Sequence, residues 1–195
     1  MKNIFFFIFL SSFLFSCKPY EKSYTEKMKI DLKMRFDKEQ KAQDFDIVKI
    51  ESKGRVYTDS MNLEKDRIFE ENTDTIKKYF DEYSFPWVKI NGEKTSIYFW
   101  TIVQHSDHDV KFQEQVLRRM KKGLKIGEVL PRNYAYLYDR VMKNKNKKQL
   151  YGTQVEWKSA TPTPFPELKN PDKVNEYRKK MGLETLEEYY QSFSN

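Results

Sequence analysis

Residues Thr95–Asp109 read Thr-Ser-Ile-Tyr-Phe-Trp-Thr-Ile-Val-Gln-His-Ser-Asp-His-Asp, and this stretch decides the fold. Its first part, Thr95–Val103, is mostly aromatic, β-branched or aliphatic, so it is expected in the core. Its propensity favours a buried strand, whereas the same composition also fits a fully buried helix. With either structure, the segment presents Gln104 and His105 where it ends.

The polar end of this stretch, Gln104–Asp109, contains both histidines of the chain together with two carboxylates. Ser106, followed three residues later by Asp109, resembles a capping box in which Asp takes the usual place of Glu. Such a box predicts a helix over residues 110–122, and Gly123 is expected to end it. The polar side chains are therefore expected at a junction between two core elements.

The beginning of the chain is typical of a secretory signal, because Lys2 is followed by the apolar run Ile4–Leu10 and a small residue precedes the expected cleavage site. That run is too short to cross a bilayer as a helix, which needs about 20 residues. An N-terminal anchor that is never cleaved is the alternative, and Cys17 decides between the two.

Cys17 is the only cysteine, and Leu14-Phe15-Ser16-Cys17 resembles a bacterial lipobox. This resemblance implies diacylglycerol on the Cys17 sulfur, cleavage before Cys17 and acylation of the new N-terminus, for example with palmitate. Phe15 departs mildly from the lipobox because it is bulkier than the usual residue. We therefore expect a bacterial lipoprotein of the cell envelope, anchored in the outer membrane with its domain in the periplasm or at the cell surface.

The length of 195 residues predicts one domain. We expect a signal peptide at residues 1–16, a lipidated tether at 17–25 and a single domain at 26–195. Because lipid occupies Cys17, no thiol remains for a disulfide, and the fold must depend on its hydrophobic core. Aromatic residues make up 16% of the chain and can supply that core although 33% of the residues are charged.

The net charge of +7 indicates a lysine-rich surface, which also favours anionic lipid headgroups or polyanionic ligands. Two basic runs, Arg118–Lys122 and Lys143–Lys148, are either solvated or lean on anionic headgroups. No patterned groove for nucleic acid is visible, and the export signal argues against that partner. The expected partners are the membrane, through lipid on Cys17, and an unknown polar or anionic ligand.

Apolar residues at four-residue spacing predict an amphipathic helix over residues 26–44. A weak pattern follows, in which Arg55–Tyr57 is interpreted as a short extended piece. Residues 63–71 have a helical composition. Thr73 is then predicted to cap a further helix that ends at Pro86.

Pro131 fits the first turn of a helix that ends near Arg140. Beyond it, Val141–Met142 and Gln149–Val155 flank the polar run Lys143–Lys148, and this order predicts a β-hairpin. The remaining predicted elements are an extended Pro-rich arm at 161–166, a helix at 172–181 closed by Gly182, and a short helix that includes Leu186. The predicted fold class is α+β, a mainly helical single domain with one small β-hairpin.

Several short motifs occur in a distinctive order: Gln104-His105-Ser106-Asp107, Asp139-Arg140, Gln149-Leu150-Tyr151-Gly152-Thr153-Gln154, and Val174 with Arg178 and Gly182-Leu183. This set resembles a bacterial family known only as a domain of unknown function, found in secreted and lipidated proteins. The resemblance covers nearly the whole mature chain. It implies a helix at Thr95–Val103 and the place of a site, but no reaction.

The chain departs from that family at two places. The family tends to show Gly-Trp-Pro where this chain has Ser84-Phe85-Pro86, and Asp-Gln followed by Arg where it has Glu39-Gln40 and then Gln43. Site residues are therefore carried over only where they match. They are His105, Asp107, Arg140, Tyr151, Thr153 and Gln154.

His105 is the best candidate for chemistry, since an imidazole can accept and return a proton near neutral pH. Asp107 or Asp139 is expected to orient it, as a carboxylate orients a catalytic imidazole. Arg140 offers a planar fork for a carboxylate or phosphate, and the segment Tyr151–Gln154 adds donors and acceptors. Together these groups suit a polar or anionic small ligand in a cleft.

The favoured function is that of a membrane-anchored lipoprotein that binds a polar or anionic ligand or partner in the cell envelope. Two alternatives remain open, so whether the protein is an enzyme is undecided. A ligand-binding module predicts a cleft that lacks a base held by a carboxylate. A hydrolase-type enzyme, with His105 as general base and Arg140 as anion clamp, predicts that both converge on an open cleft. A structural or interaction protein predicts that the whole polar set is buried and hydrogen-bonded internally.

Metal binding is the weaker alternative, and no cofactor is expected. His105 and His108 have suitable atoms for zinc, together with the nearby carboxylates. However, capping of the following helix would use the oxygens of Ser106, Asp107 and Asp109, and the sequence has no second His or Cys cluster. A Gly-x-Ser-x-Gly nucleophile elbow does not occur either.

Overall fold

The structure is a computed structural model that describes residues 22–44, 47–158, 161–164 and 167–193, with side chains over 22–44, 53–156 and 167–193. The helices in these ranges are α1 (Glu26–Gln43), α2 (Ile47–Tyr83), α3 (Val88–Asn91), α4 (Glu93–His105), α5 (Val110–Leu124), α6 (Pro131–Asn144), α7 (Val174–Lys180) and α8 (Leu186–Gln191). Two strands, β1 (Val155–Lys158) and β2 (Thr161–Pro164), precede a 3₁₀ turn at Pro171–Lys173. The predicted signal peptide, Cys17 and most of the tether lie outside the described residues.

The described chain is mainly helical, as predicted. The one sheet in these residues pairs β1 with β2 in an antiparallel ladder, with Val155 opposite Pro164. Sheet structure is thus limited to a short hairpin, and the β part of the α+β class is small. None of the helices in the described ranges has the length and apolar character that crossing a bilayer requires.

The prediction of a β-hairpin around Lys143–Lys148 is wrong. Helix α6 continues to Asn144 because Leu137 and Val141 lie one turn apart on the same fully buried face. Asn146 then adopts a left-handed conformation with φ of 51°, and the following N–H donates to the Met142 carbonyl at 2.8 Å. This is a helix C-cap, so the polar run ends a helix instead of joining two strands.

Helix α4 lies at the centre of the fold, and it shows that Thr95–Val103 is helical. Phe99, Ile102 and Val103 have no exposed surface, and α1, α2, α5 and α6 all pack against this helix. Burial of each large apolar side chain is worth about 1.5–3 kcal/mol. The helix named by the family resemblance is thus the observed structure, and His105 is its last residue.

Tyr24 fixes the point at which the described chain enters the core. Its ring packs edge-on against Tyr83 and Phe99, with centroid distances of 5.5 and 6.3 Å. Its hydroxyl donates to the Ser84 carbonyl, and its backbone N–H donates to the Asn91 side-chain oxygen, each at 2.8 Å. The chain entry is therefore held against the end of α3.

Two predictions that concern residues of helix α2 are wrong. Gly54, with φ of 71°, interrupts the helix near its start, and Arg55–Tyr57 is helical rather than extended. Thr73 lies inside the helix, where its hydroxyl donates to the Phe69 carbonyl and lies 2.7 Å from the Ser106 hydroxyl. Thr73 therefore links α2 to the end of α4 instead of beginning a new helix.

The cap between α4 and α5 lies one turn later than predicted. Asp109 is the N-cap of α5, and its carboxylate accepts the Phe112 N–H at 3.0 Å. Ser106 instead ends α4 and donates to the Ile102 carbonyl at 2.9 Å. Helix α5 begins at Val110 as predicted, although Asp109 rather than Ser106 caps it.

Local signals elsewhere are confirmed. Pro131 stands at the start of α6, and Gly182, with φ of 66°, ends α7. The Leu183 N–H donates to the Arg178 carbonyl at 3.0 Å, as in a Schellman cap. Thr185 and Glu188 form a capping box at the start of α8.

Gly123 did not end α5 but lies in its last turn, where a side chain has no room. A Cβ atom there would overlap the Trp87 ring and lie 2.7 Å from Val129 Cγ2. We expect Gly123→Ala to lower the free energy of unfolding by about 1–3 kcal/mol through overpacking, although alanine is the better helix former. Urea unfolding measures this, with exposed Lys122→Ala as the control. Equal or greater stability of Gly123→Ala would contradict the packing.

Candidate functional site

The site begins with a hydrogen bond between the ends of two helices. His105 Nδ1 lies 2.6 Å from Oε2 of Glu39, a residue of α1 that has no exposed surface. The other Glu39 oxygen accepts the Asn72 side-chain N–H of α2 at 2.9 Å. A buried carboxylate requires such donors, so Glu39 joins α1, α2 and α4 at one point.

Asn72 is itself held in one orientation. The Arg35 guanidinium donates to Asn72 Oδ1 at 2.9 Å and to Asp31 Oδ2 at 2.7 Å, and Tyr79 donates to the same Asp31 oxygen at 2.9 Å. Since Asn72 Oδ1 is occupied as an acceptor, its NH₂ group faces the Glu39 carboxylate. Asn72 thus holds the carboxylate that orients His105, and the chain of Arg35, Asp31 and Tyr79 holds Asn72.

The imidazole of His105 is fixed on one face as well. The Phe69 ring stacks on it with a centroid distance of 4.8 Å and an angle of 12° between the planes. Glu39 accepts from Nδ1, and no described residue forms a hydrogen bond with Nε2. This arrangement leaves Nε2 as the nitrogen that can act on a ligand.

His105 lines a cleft of about 530 Å³. Polar and charged side chains from α1, α2, α6 and the junction between α4 and α5 surround it. The lining residues are Gln43, Lys65, Asp66, Phe69, Glu70, His105, Asp107, His108 and Arg140. Charges of both signs meet there, which suits a polar rather than an apolar ligand.

Asp107 and Arg140 form a two-point ion pair at this cleft. Arg140 Nε and Nη2 donate to the two Asp107 oxygens at 2.9 and 2.6 Å, and Nη1 donates to Gln154 at 3.1 Å. Burial alone would raise the pKa of Asp107, but Arg140, with Asn144 and Gln113, outweighs it and holds that pKa below its usual range. The guanidinium is rigid, and an anionic ligand would have to compete with Asp107 for it.

Asp139 is adjacent to Arg140 but serves a separate, fully buried network. Its carboxylate accepts N–H groups from Leu150 at 2.8 Å and Thr153 at 3.0 Å, and the Thr153 hydroxyl at 3.0 Å. The Tyr151 N–H lies 3.2 Å from both oxygens. Burial raises the pKa of Asp139, and these donors act in the opposite direction. Asp139 therefore holds the loop after α6 onto that helix.

The rest of this network ties the same loop to α7. Gln149 and Gln154 exchange two side-chain-to-backbone hydrogen bonds at 2.9 and 3.1 Å. Arg178, which has no exposed surface, donates to the carbonyls of Tyr151 at 2.8 Å and Gly152 at 3.4 Å. The network is mostly buried and internally bonded, as expected for a structural role.

The structure divides the predicted site residues into two groups. His105, Asp107 and Arg140 line the cleft, whereas Tyr151, Thr153 and Gln154 do not belong to its lining and are buried. Arg140 connects the groups through its bond to Gln154.

The carboxylate that orients His105 was predicted wrongly as Asp107 or Asp139. Glu39 has this role, because the packing of α1 on α4 brings it to His105 across a separation of 66 residues. One signal for it exists in the sequence. Glu39 follows Leu32 by seven residues, two helical turns along the buried face of α1, and an acid on such a face needs a partner.

Among the described residues, the structure adds no further ligand for a metal ion bound by His105 and His108. In the part of the chain that the structure describes, no group of three or more His, Cys, Asp or Glu side chains could hold a metal ion. Glu39 occupies His105 Nδ1, and Asp109 caps α5.

Comparison with family models matches residues 57–195 to a family of unknown function, DUF6624. The match covers more than half of the chain and includes α4, α6 and the buried network around Asp139. It does not reach α1, so Glu39 lies outside the matched residues. No curated protein and no solved structure matched the chain.

We expect Asp139→Ala to lower the free energy of unfolding by at least about 3 kcal/mol, because several buried donors lose their acceptor. Asp107→Ala is the matched control, since its carboxylate is 41% exposed and exposed pairs contribute about 0–1 kcal/mol. Chemical unfolding of both variants measures the difference. Equal losses would contradict the division into a structural network and a cleft.

The lowered pKa of Asp107 predicts a pH dependence of stability. A carboxyl whose pKa is lower in the folded state stabilises the fold above its usual pKa of about 4, and this contribution is lost as pH falls through the folded value. We therefore expect wild type to exceed Asp107→Asn in stability near pH 6, and the difference to shrink below about pH 4. Urea unfolding of both proteins between about pH 6 and below about pH 4 measures this difference in stability. A difference independent of pH would overturn the ion pair.

Proposed function

The chain belongs to the DUF6624 family, and we propose that it is an acid–base enzyme that hydrolyses a small polar substrate in its cleft. The observation that carries this is the 2.6 Å hydrogen bond between His105 Nδ1 and the buried Glu39. A cleft with a base held by a carboxylate is what distinguishes an enzyme from a plain binding module.

The Glu39 carboxylate can only accept, so it keeps the ring proton of His105 on Nδ1. Nε2 then carries the lone pair at the cleft. In the proposed reaction Nε2 takes a proton from water as the water oxygen bonds to a carbonyl carbon or phosphorus of the substrate. The bond to the leaving group then breaks, and Nε2 returns the proton to that group.

Glu39 stabilises the imidazolium that forms between these steps, and Asn72 and Phe69 keep the ring in place. Its burial strengthens this interaction, because a pair of charges attracts more strongly away from water. Glu39 touches His105 rather than the substrate, so it is a positioning residue.

The charged lining supports a polar substrate. Two basic residues, Lys65 and Arg140, line the cleft together with the acids Asp66, Glu70 and Asp107. Arg140 would contact an anionic group of the substrate by dividing its guanidinium N–H donors between that group and Asp107. Binding of a polar ligand is then the first step of the reaction.

We further propose that the domain is anchored by lipid on Cys17 and works in the bacterial envelope, at the outer membrane. The support is the sequence Leu14-Phe15-Ser16-Cys17 after a short apolar leader. Tyr24 is buried in the fold and stands seven residues after Cys17, so the anchor and the fold are close in sequence. An intact mass raised by acyl chains on Cys17 is the expected observation.

The test of the enzyme is hydrolysis of chromogenic esters, phosphoesters and amides by the purified protein and three variants. We expect His105→Ala and Glu39→Gln to lose about 10²–10⁴-fold in kcat. His108→Ala is the matched control, because His108 lines the same cleft and no described carboxylate forms a hydrogen bond with its ring. Activity retained in His105→Ala would sink the proposal.

A readout without substrate separates positioning from folding. Diethyl pyrocarbonate modifies neutral imidazole nitrogens, and the chain has only two histidines. We expect His105 to react at Nε2 and Glu39→Gln to slow that reaction, while thermal unfolding confirms that the variant folds. Unchanged reactivity in a folded Glu39→Gln protein would exclude Glu39 as the positioning residue.

A further inference from the structure

A groove of about 360 Å³ on the last turns of α5 combines cations with one exposed apolar side chain. Ile126 is 61% exposed. Around it stand four exposed basic residues, none of which forms an ion pair with a described residue: Arg118, Lys121, Lys122 and Lys125. An exposed apolar residue surrounded by exposed basic side chains suits a membrane interface, where the apolar side chain can enter the lipid while the cations stay at the headgroups.

This groove is linked through α3 to the place where the chain enters the fold. Tyr24 donates its backbone N–H to Asn91, the last residue of α3. At the other side of α3, the Lys89 ammonium donates to the Ile126 carbonyl at 3.4 Å. Ile90, between these contacts, is 43% exposed. We call the surface formed by α3, Ile126 and the four basic residues of the groove the basic face.

The tether limits how far the basic face can be from the bilayer. Five peptide steps separate Cys17 from Lys22, a reach of at most about 17 Å. A domain of this size is about 40 Å across. With lipid on Cys17, the side of the domain at Lys22 is therefore held towards the headgroups, and α3 lies on that side.

The second basic run has a different environment. Lys145 pairs with Glu114, and Lys148 lies 3.0 Å from Glu167. The run begins in the last turn of α6 and lacks a described contact with Tyr24 or α3. Charge complementarity to an anionic surface thus favours the groove on α5 over the Lys143–Lys148 run.

We propose that the basic face docks on anionic phospholipid headgroups, with Ile126 entering the interface and the α5 cations contacting phosphates. The inference rests on the lipid anchor proposed at Cys17 and is independent of the chemistry at His105. Each basic side chain near an anionic surface is worth about fivefold in association. The four cations of the groove therefore favour one orientation among those that the short tether allows.

The experiment uses the whole lipidated chain in vesicles of pure phosphatidylcholine or of phosphatidylcholine with phosphatidylglycerol. Because Cys17 is the only cysteine and would be acylated, Ile126→Cys provides a single thiol for a nitroxide label. Leu63→Cys is the matched control, since Leu63 is 72% exposed and lies about 30 Å along α2 from Tyr83, the neighbour of Tyr24.

On vesicles with phosphatidylglycerol, we expect the Ile126 label to lose most of its contact with an aqueous relaxation agent and gain contact with oxygen in the lipid. The Leu63 label should stay in water on both vesicles. Reversal of Lys121, Lys122 and Lys125 to Glu should reduce the docked population at least about tenfold. Reversal of the exposed Lys173, Lys179 and Lys180, which changes the net charge equally, should leave it unchanged.

The outcomes separate this inference from the proposed anchor. An acylated chain whose Ile126 label stays in water on anionic vesicles overturns the basic face and leaves the anchor standing. If the intact mass shows no acyl chains on Cys17, both the proposed lipid anchor and the proposed docking of the basic face are overturned. Equal protection on pure phosphatidylcholine, or equal loss on reversal of Lys173, Lys179 and Lys180, would exclude recognition of anionic headgroups.

Discussion

The buried carboxylate of Glu39 is the constraint on which the arrangement of α1, α2 and α4 depends. Transfer of an unpaired carboxylate from water into a protein interior costs several kcal/mol, so the three helices must bring donors to it. Asn72 and His105 do so from α2 and α4. A helix shift that separated these partners would leave a buried charge without donors, in addition to any apolar surface that it exposed. Polar geometry, as much as apolar burial, therefore fixes how these helices pack.

A second buried carboxylate, Asp139, shows a different use of the same chemistry. Its donors are backbone N–H groups and one hydroxyl of a single loop, so it holds that loop and presents nothing to solvent. Glu39 has a titratable ring as one of its donors, and that ring borders the cleft. Arg140 lies between the two networks, because its Nη1 donates to Gln154 while its Nε and Nη2 donate to Asp107. The structural network and the proposed catalytic pair are thus separated within a short distance.

Local chemistry made several elements predictable. Pro131 and Gly182 mark helix ends through their own backbone preferences, and these positions needed no knowledge of the fold. The run Lys143–Lys148 was misinterpreted because an Asn-containing polar turn fits a helix cap as well as a hairpin. His105 could be selected from its residue type alone. Glu39 could not be assigned to it, because their contact depends on how α1 docks on α4, a property of the whole core.

The separation of 66 residues between Glu39 and His105 has a consequence for the order of folding. Contacts between elements that are close in sequence, such as α5 and α6, are expected to form before contacts between distant elements. The contact between Glu39 and His105 requires α1, α2 and α4 to have assembled. A newly made chain would thus carry His105 without its carboxylate until that assembly, and the proposed activity would appear only with the completed fold.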